Sequence, residues 1–382
     1  MKIALVHDYL TQNGGAERVF ELLCQRFPGA DIYTSLYEPS ETISLDGRNV
    51  TTTGLQKIPG ASRYFRLLAP FYFSAFRSLD LSDYDLIFSS TTGFAKAIRK
   101  PPHATHVCFC HNVTRFLWDT DTYLSGYREY QSIAPVLEVM FRRMRQLDIQ
   151  YAKGPDVYIS NSTTVAKRIQ RFYGRPATTI NYPVDASRFQ FSADKGNYFL
   201  VSSRLLSYKR VDIIVEAFNQ LGWPLIVMGD GPEKERLKAI AKDNVKFLGY
   251  ISDEKRAELM ANAQMMIVAA LEDYGLVPIE SNMSGTPVVS YGAGGVLDTQ
   301  KPGTTGLFFE EQTADSLVTA LQKASRIDWN YPEIRQYAMS RFTKEVFFEK
   351  IDDLLSSTLT PDLLESIASS LKQRYRQKIS SR

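Results

Sequence analysis

Short apolar runs alternate along the chain with longer amphipathic ones, a pattern that predicts parallel strands joined by helices. In the first half, residues 2–6, 31–34, 85–89, 106–110 and 156–160 read as strands. Between them, apolar positions recur at helical spacing over 16–26 and 127–151, and Ser162 is placed to cap a helix over 163–173. The polar stretches 181–185 and 192–197 read as a connection, after which a fresh strand begins at 198–201. Further strands are expected at 225–228, 245–248, 265–268 and 288–290, separated by helices at 211–221, 233–242, 253–263 and 314–325. The α/β pattern therefore gives two doubly wound halves, each with its ligand-binding loops at the carboxyl ends of its strands.

Length agrees with two halves: 382 residues exceed one ordinary core. The expected division is 1–190 and 191–342, followed by a strandless helical stretch at 343–382. Charge narrows the partners. With 45 basic and 42 acidic residues the net charge is +3, which does not suit a nucleic-acid binder. Cys24, Cys108 and Cys110 make neither a disulfide framework nor a zinc set, so they read as buried thiols in a reducing compartment. The opening apolar run is too short for a signal peptide's core, and no stretch is apolar for long enough to span a bilayer, so a cytoplasmic location is expected. Two features offer a peripheral contact with an anionic membrane surface. One is the basic C-terminal tail with Lys372, Arg374, Arg376, Lys378 and Arg382; the other is the aromatic run Phe71-Tyr72-Phe73-Ser74-Ala75-Phe76 with Arg66 and Arg77 nearby. A solvated terminus and ordinary core packing explain them as readily.

Three loops carry candidate chemistry. The loop from His7 to Glu17 follows a strand and opens a helix; its Gly14-Gly15 pair can bring backbone N–H groups to an anion, or simply make a turn. Arg204 ends a strand and Lys209 precedes the next helix, so the two cations can embrace a diphosphate, or be a solvated pair. In Glu272-Asp273-Tyr274-Gly275-Leu276-Val277-Pro278-Ile279-Glu280, two carboxylates flank a turn at a helix N-terminus. Carboxylates there can hold the diols of a sugar, although Glu280 alone would serve the helix dipole. His111, directly after the strand 106–110, points toward a cleft and is a candidate ligand or catalyst.

Together these residues resemble the retaining glycosyltransferases of family 4, which have the GT-B fold and are marked by two glutamates with seven residues between them. Glu272 and Glu280 have that spacing. The resemblance also takes in Gly14-Gly15, Ser203-Arg204 with Lys209, Gly229-Asp230-Gly231-Pro232 and Phe247-Leu248-Gly249-Tyr250, and so spans both halves from residue 2 to about 355. It implies two facing Rossmann-like domains, an N-terminal acceptor domain and a nucleotide-sugar domain, with the C-terminal helices returning to the first. It further implies that Glu272 holds hydroxyls of the transferred sugar and Glu280 those of the ribose. Arg204 and Lys209 would neutralise the diphosphate with help from backbone at Gly15, Leu276 and Val277. Gly14, Gly229, Tyr274 and Gly275 would complete the donor site, Tyr250-Ile251 would lie beside the base, and His111 would face the sugar. Asp273 departs from the small or apolar residue many relatives carry there, so the donor is not copied from a relative.

The expected reaction transfers a hexosyl group with retention. UDP-glucose is the expected donor by its commonness, and GDP-mannose is the alternative. The acceptor would be a saccharide or lipid-linked saccharide of polysaccharide biosynthesis, with Tyr9, Asn112 and Trp118 as surface for it. No Asp-x-Asp-type triplet stands out in a cleft loop, so metal independence is expected. A sugar-nucleotide epimerase or phosphorylase on the same plan, and a non-catalytic nucleotide-sugar-binding protein, are the rival readings.

Overall fold

The computed structural model describes residues 1–45, 47–119, 134–361 and 363–364. The basic tail at 372–382 and the start of the helix expected from 127 lie outside the described residues. The chain forms two compact units, Met1–Asn181 with Phe348–Arg382, and Tyr182–Phe347.

The first unit is built on seven parallel strands: β1 (Ile3–His7), β2 (Asp31–Thr34), β3 (Val50–Thr52), β4 (Leu86–Thr91), β5 (Thr105–Cys110), β6 (Val157–Ser160) and β7 (Thr178–Thr179). Their order is β3-β2-β1-β4-β5-β6-β7. Every residue of β4 is buried, as expected of a central strand covered on both faces. Helix α1 (Gly15–Arg26) buries Val19, Phe20, Leu23 and Cys24, which share one face at helical spacing. The helix Thr163–Tyr173 buries Val165, Ile169 and Tyr173; the Ser162 hydroxyl accepts from the Val165 N–H at 3.2 Å, and Gly174 ends the helix at φ 65°. Residues 69–77, which include the aromatic run, form helix α2 (Ala69–Arg77), whose Tyr72, Phe73 and Phe76 enter the core.

The second unit carries six parallel strands: β8 (Phe199–Ser202), β9 (Leu225–Met228), β10 (Val245–Gly249), β11 (Met266–Val268), β12 (Val288–Tyr291) and β13 (Gly306–Phe309), ordered β10-β9-β8-β11-β12-β13. Its core joins Val201, Ile214, Phe218, Val227, Ile267 and Leu317.

The division falls at 181/182 and 347/348, where the sequence suggested 190/191 and 342/343. Hydrogen bonds account for the shift. The Tyr182 carbonyl accepts from the Tyr274 hydroxyl at 2.7 Å, and the Val184 N–H donates to Phe342 at 2.7 Å, tying the connection to the second unit. At the other end, Arg26 of α1 pairs with Asp352 at 2.7 Å, so the last part of the helix Lys344–Thr358 belongs to the first unit. Among the described residues no helix is long and apolar enough to cross a membrane.

Candidate functional site

Each sheet reverses its strand order once, between β1 and β4 in the first unit and between β8 and β11 in the second. Crevices open outside the carboxyl ends of strands at such points. The candidate residues gather there, in one cluster per unit.

In the second unit a cleft of about 500 Å³ is lined by Arg204, Lys209, Gly229, Tyr250, Ile251, Glu272 and Val277, with Arg256 and Asp253 beside them. Arg204 follows β8 and donates to the Tyr208 hydroxyl at 3.4 Å. Arg210, in the left-handed conformation at φ 51°, turns the chain into the helix Val211–Leu221 directly after Lys209. The Lys209 ammonium reaches the Glu272 carboxylate at 2.5 Å. Both ends of this pair are mostly shielded from water, so their attraction exceeds that of a surface pair. Glu280 is not among the lining residues and accepts from Arg256, whose Nε also donates to the Ser202 hydroxyl at 3.3 Å. Arg256 is therefore a site residue that no motif indicated; it comes one helical turn after Ser252, which caps the helix Asp253–Asn262. Tyr250, expected beside the base, lines the cleft and is 90% exposed.

The loop bearing Glu272 is fixed by a second, unpredicted glycine pair. Glu272 and Gly294 form a parallel bridge, and the Gly295 N–H donates to the Glu272 carbonyl at 2.7 Å. A Cβ on Gly294 would come within 2.3 Å of that carbonyl oxygen, and one on Gly295 within 2.3 Å of the Tyr274 Cα. Tyr274 corrects an expectation. Its ring is buried against Tyr182 at 5.0 Å and its hydroxyl is bonded to backbone, so it anchors the loop from behind and does not face the cleft. Gly275, at φ 91°, makes the turn into the helix Leu276–Met283, whose first N–H groups have no partner within the helix. Gly229, at φ 114°, lets the loop after β9 touch the Ser203 backbone, where a Cβ would lie 1.9 Å from the carbonyl oxygen.

In the first unit, His7 ends β1, Ser90 lies on β4 and His111 follows β5. The Ser90 hydroxyl bridges the two imidazoles, at 3.0 Å from His7 Nδ1 and 2.7 Å from His111 Nε2. Behind His7 lies the buried Glu17 carboxylate, 3.6 Å from Nε2. Burial pushes the Glu17 carboxyl up, but hydrogen bonding to His7, its charge and Gln12 outweigh it and bring the pKa to about 2. His111 is held down to about 3, by burial first and by His7 second, so its imidazole is neutral at physiological pH. Asp8 is spent on structure, its carboxylate accepting from the N–H groups of Thr92, Phe94 and Ala95 and the hydroxyls of Thr91 and Thr92 at 2.6–3.0 Å.

Four further expectations are revised here. The Gly14 N–H donates to Glu17 at 2.9 Å in a capping box, so it is not free for an anion. The Trp118 indole N–H is committed to buried Asp148 at 2.7 Å, the Asn112 side-chain oxygen accepts from Arg168 at 3.3 Å, and the Tyr9 ring packs on Phe65 at 4.8 Å. Their polar or aromatic surface is largely used inside the unit.

Comparison with known proteins agrees with this arrangement. The family described as Glycosyltransferase Family 4 matches residues 13–188, and Glycosyl transferases group 1 matches 184–341. With two Rossmann-like units of parallel strands, the chain has the GT-B fold and is similar to family 4 glycosyltransferases. It is similar to an uncharacterised glycosyltransferase of Methanocaldococcus jannaschii, 23% identical over 40% of this chain and 41% of the relative. It is also similar to the D-rhamnosyltransferase WbpZ of Pseudomonas aeruginosa, 26% identical over 51% of this chain and 53% of the relative. The chain thus spans about half or less of the length of these two curated relatives. Among solved structures, sucrose-phosphate synthase from Thermosynechococcus elongatus superposes with a TM-score of 0.69 at 17% identity, covering 94% of this chain and 99% of the other. Anabaena HepE in complex with UDP gives 0.64 at 20% identity, covering 94% and 100%.

Proposed function

We propose that this protein is a retaining glycosyltransferase that moves a hexosyl group, glucosyl from UDP-glucose, onto a saccharide or lipid-linked saccharide during polysaccharide synthesis. It would work without a metal ion, in the cytoplasm and peripherally at the inner face of the membrane. The observation that carries the reading is the Lys209–Glu272 pair, set beside Arg204 in a cleft at the strand switch point. In the proposed complex, Lys209 leaves Glu272 for the diphosphate, and the freed carboxylate takes the sugar hydroxyls. Arg204 and the N–H groups of Leu276 and Val277 share the diphosphate. Glu280, held by Arg256, takes the ribose diol, and Tyr250-Ile251 flank the base.

The C1–O bond to the β-phosphate breaks while the acceptor oxygen bonds C1 on the same face, and the acceptor's proton passes to the departing phosphate oxygen. Negative charge grows on that phosphate, where prearranged cations and helix N–H groups lower the barrier. His111 is neutral, so we give it a hydrogen-bonding role and not that of a general base.

The test is a panel of nucleotide sugars scored by thermal shift and by the anomer of the product, since a ligand that binds the folded state raises its apparent stability. UDP-glucose leads the panel because HepE has been solved with it. GDP-mannose follows because a GDP-mannose-dependent mannosyltransferase of Corynebacterium glutamicum is 26% identical over 50% of this chain. The expected result is a shift with one donor, transfer with retention, and activity that survives a chelator. No shift with any nucleotide sugar would overturn the reading.

A further inference from the structure

From Gly47 to Leu79 the chain contains no acidic residue but carries five basic ones. Two of the five are spent within the unit: Arg48 donates to the backbone carbonyls of Cys24 and Phe27 at the end of α1, and the Arg77 guanidinium lies 5.0 Å from the Tyr151 ring. Lys57, Arg63 and Arg66 remain exposed. The same stretch also carries most of the large apolar side chains exposed among the first unit's described residues. Six large apolar side chains are exposed on that unit's described residues, and four lie within 58–71: Ile58 at 43%, Tyr64 at 53%, Leu67 at 69% and Phe71 at 55%. The backbone brings the last three together. The Leu67 N–H donates to the Tyr64 carbonyl at 2.9 Å, and Phe71 follows Leu67 by one helical turn at the start of α2. The opposite face of α2 is already buried through Tyr72, Phe73 and Phe76. Folding therefore leaves Leu67 and Phe71 outward, with Arg63 and Arg66 placed over the Tyr64 and Phe65 rings at 5.6 and 4.9 Å.

We propose that residues 57–71 are a docking surface for an anionic lipid bilayer, with Leu67 and Phe71 entering the acyl boundary and Lys57, Arg63 and Arg66 meeting headgroup phosphates. The proposal deepens the reading of a lipid-linked acceptor reached at the membrane face. Apolar tips flanked by cations are the composition that binds an anionic interface, where apolar burial and charge attraction add. A second copy of the chain fits less well, because a two-fold contact sets each patch against itself and would oppose cations with no acid to pair them. A nucleic acid would engage the cations but offers no hydrocarbon for Leu67 and Ile58.

The full chain is mixed with vesicles of phosphatidylglycerol and phosphatidylcholine, and with phosphatidylcholine alone, then sedimented. The expected result is binding to the anionic vesicles that weakens with salt, is lost in the double variant Leu67→Ser/Phe71→Ser, and falls roughly fivefold for each of Arg63→Gln and Arg66→Gln. These side chains are exposed, so circular dichroism and melting temperature should match the parent, which separates loss of docking from misfolding. Parent protein that ignores anionic vesicles would overturn the proposal. So would variants that bind as the parent does, because the basic C-terminal sequence would then be the anchor. Patch-dependent dimers without lipid, or patch-dependent RNA binding without vesicle binding, would overturn it as well. No nucleotide sugar is present, so failure here and failure of the donor panel are distinct results.

Discussion

At the residue scale, the second-unit cleft holds its two glutamates differently. Glu272 lines the cavity and is paired with Lys209; Glu280 is not among the lining residues and is paired with Arg256. Their variants should therefore fail differently. Lys209→Ala removes the cation that the proposed mechanism gives to the leaving group, and should lower kcat by about 10²–10³-fold, with a smaller change in KM. Arg256→Ala leaves the shielded Glu280 without its partner. It should raise the donor KM and cost about 1–2 kcal/mol of stability, with kcat reduced less than for Lys209→Ala. Steady-state kinetics of the two variants, with urea titrations beside them, decide it; equal kcat losses would contradict the division of roles. The glutamates, Lys209 and Arg204 could be picked out in the sequence because their motifs are local. Arg256 could not, because its role arises only when its helix comes to lie against the end of β8 and the helix that carries Glu280.

At the element scale, the Glu272 loop depends on the turn after β12. Gly294→Ala places a methyl group 2.3 Å from the Glu272 carbonyl oxygen in a left-handed backbone, φ 79°. Gly303→Ala meets the same backbone strain at φ 81° with nothing within 4 Å, and serves as the control. Both should lose about 1 kcal/mol for the conformation. Gly294→Ala alone should lose a further 1–3 kcal/mol or so, and at least tenfold in transfer activity, as the loop shifts. Matching urea midpoints for the two variants would contradict the latch. The same scale shows where the sequence pattern stops informing. Central strands such as β4 and β5 announce themselves as apolar runs. β3, β7 and β13 did not, because each is a sheet edge, and Val50–Thr52 and Thr178–Thr179 are only three and two residues long. Helix α2 was hidden because its aromatic run gives no clean amphipathic signal: the core takes Tyr72, Phe73 and Phe76, and the surface keeps Phe71.

For the whole molecule, stability should depend on pH in one direction on the acid side. Burial holds both His106 and His111 down to about 3, against 6.5 for a free histidine. As pH falls from 6.5 toward 3, the unfolded chain takes up protons that the folded one refuses, so stability falls by up to about 1.4 kcal/mol per pH unit for each histidine. Glu17, held at about 2 against 4.5, adds loss in the same direction between those values. Urea midpoints at pH 7, 5.5 and 4.5 should decline in that order, and more shallowly for His106→Gln; a flat series would contradict the burial argument. The two-unit plan itself was legible from strand–helix alternation. The limits of the units were not, because the 182–190 segment is claimed by hydrogen bonds from Tyr274 and Phe342, more than ninety residues away.

The Lys209–Glu272 and Arg256–Glu280 pairs also set the terms on which anything enters the cleft. In the language of ion exchange, the cleft is in an internal-salt form, with a carboxylate holding the place of an anion on each of these two cations. In the proposed complex, a diphosphate arriving at Lys209 would displace a tethered neighbour and not a counter-ion from solution. The displaced carboxylate would stay within reach, released at the moment a sugar needs a hydrogen-bond acceptor.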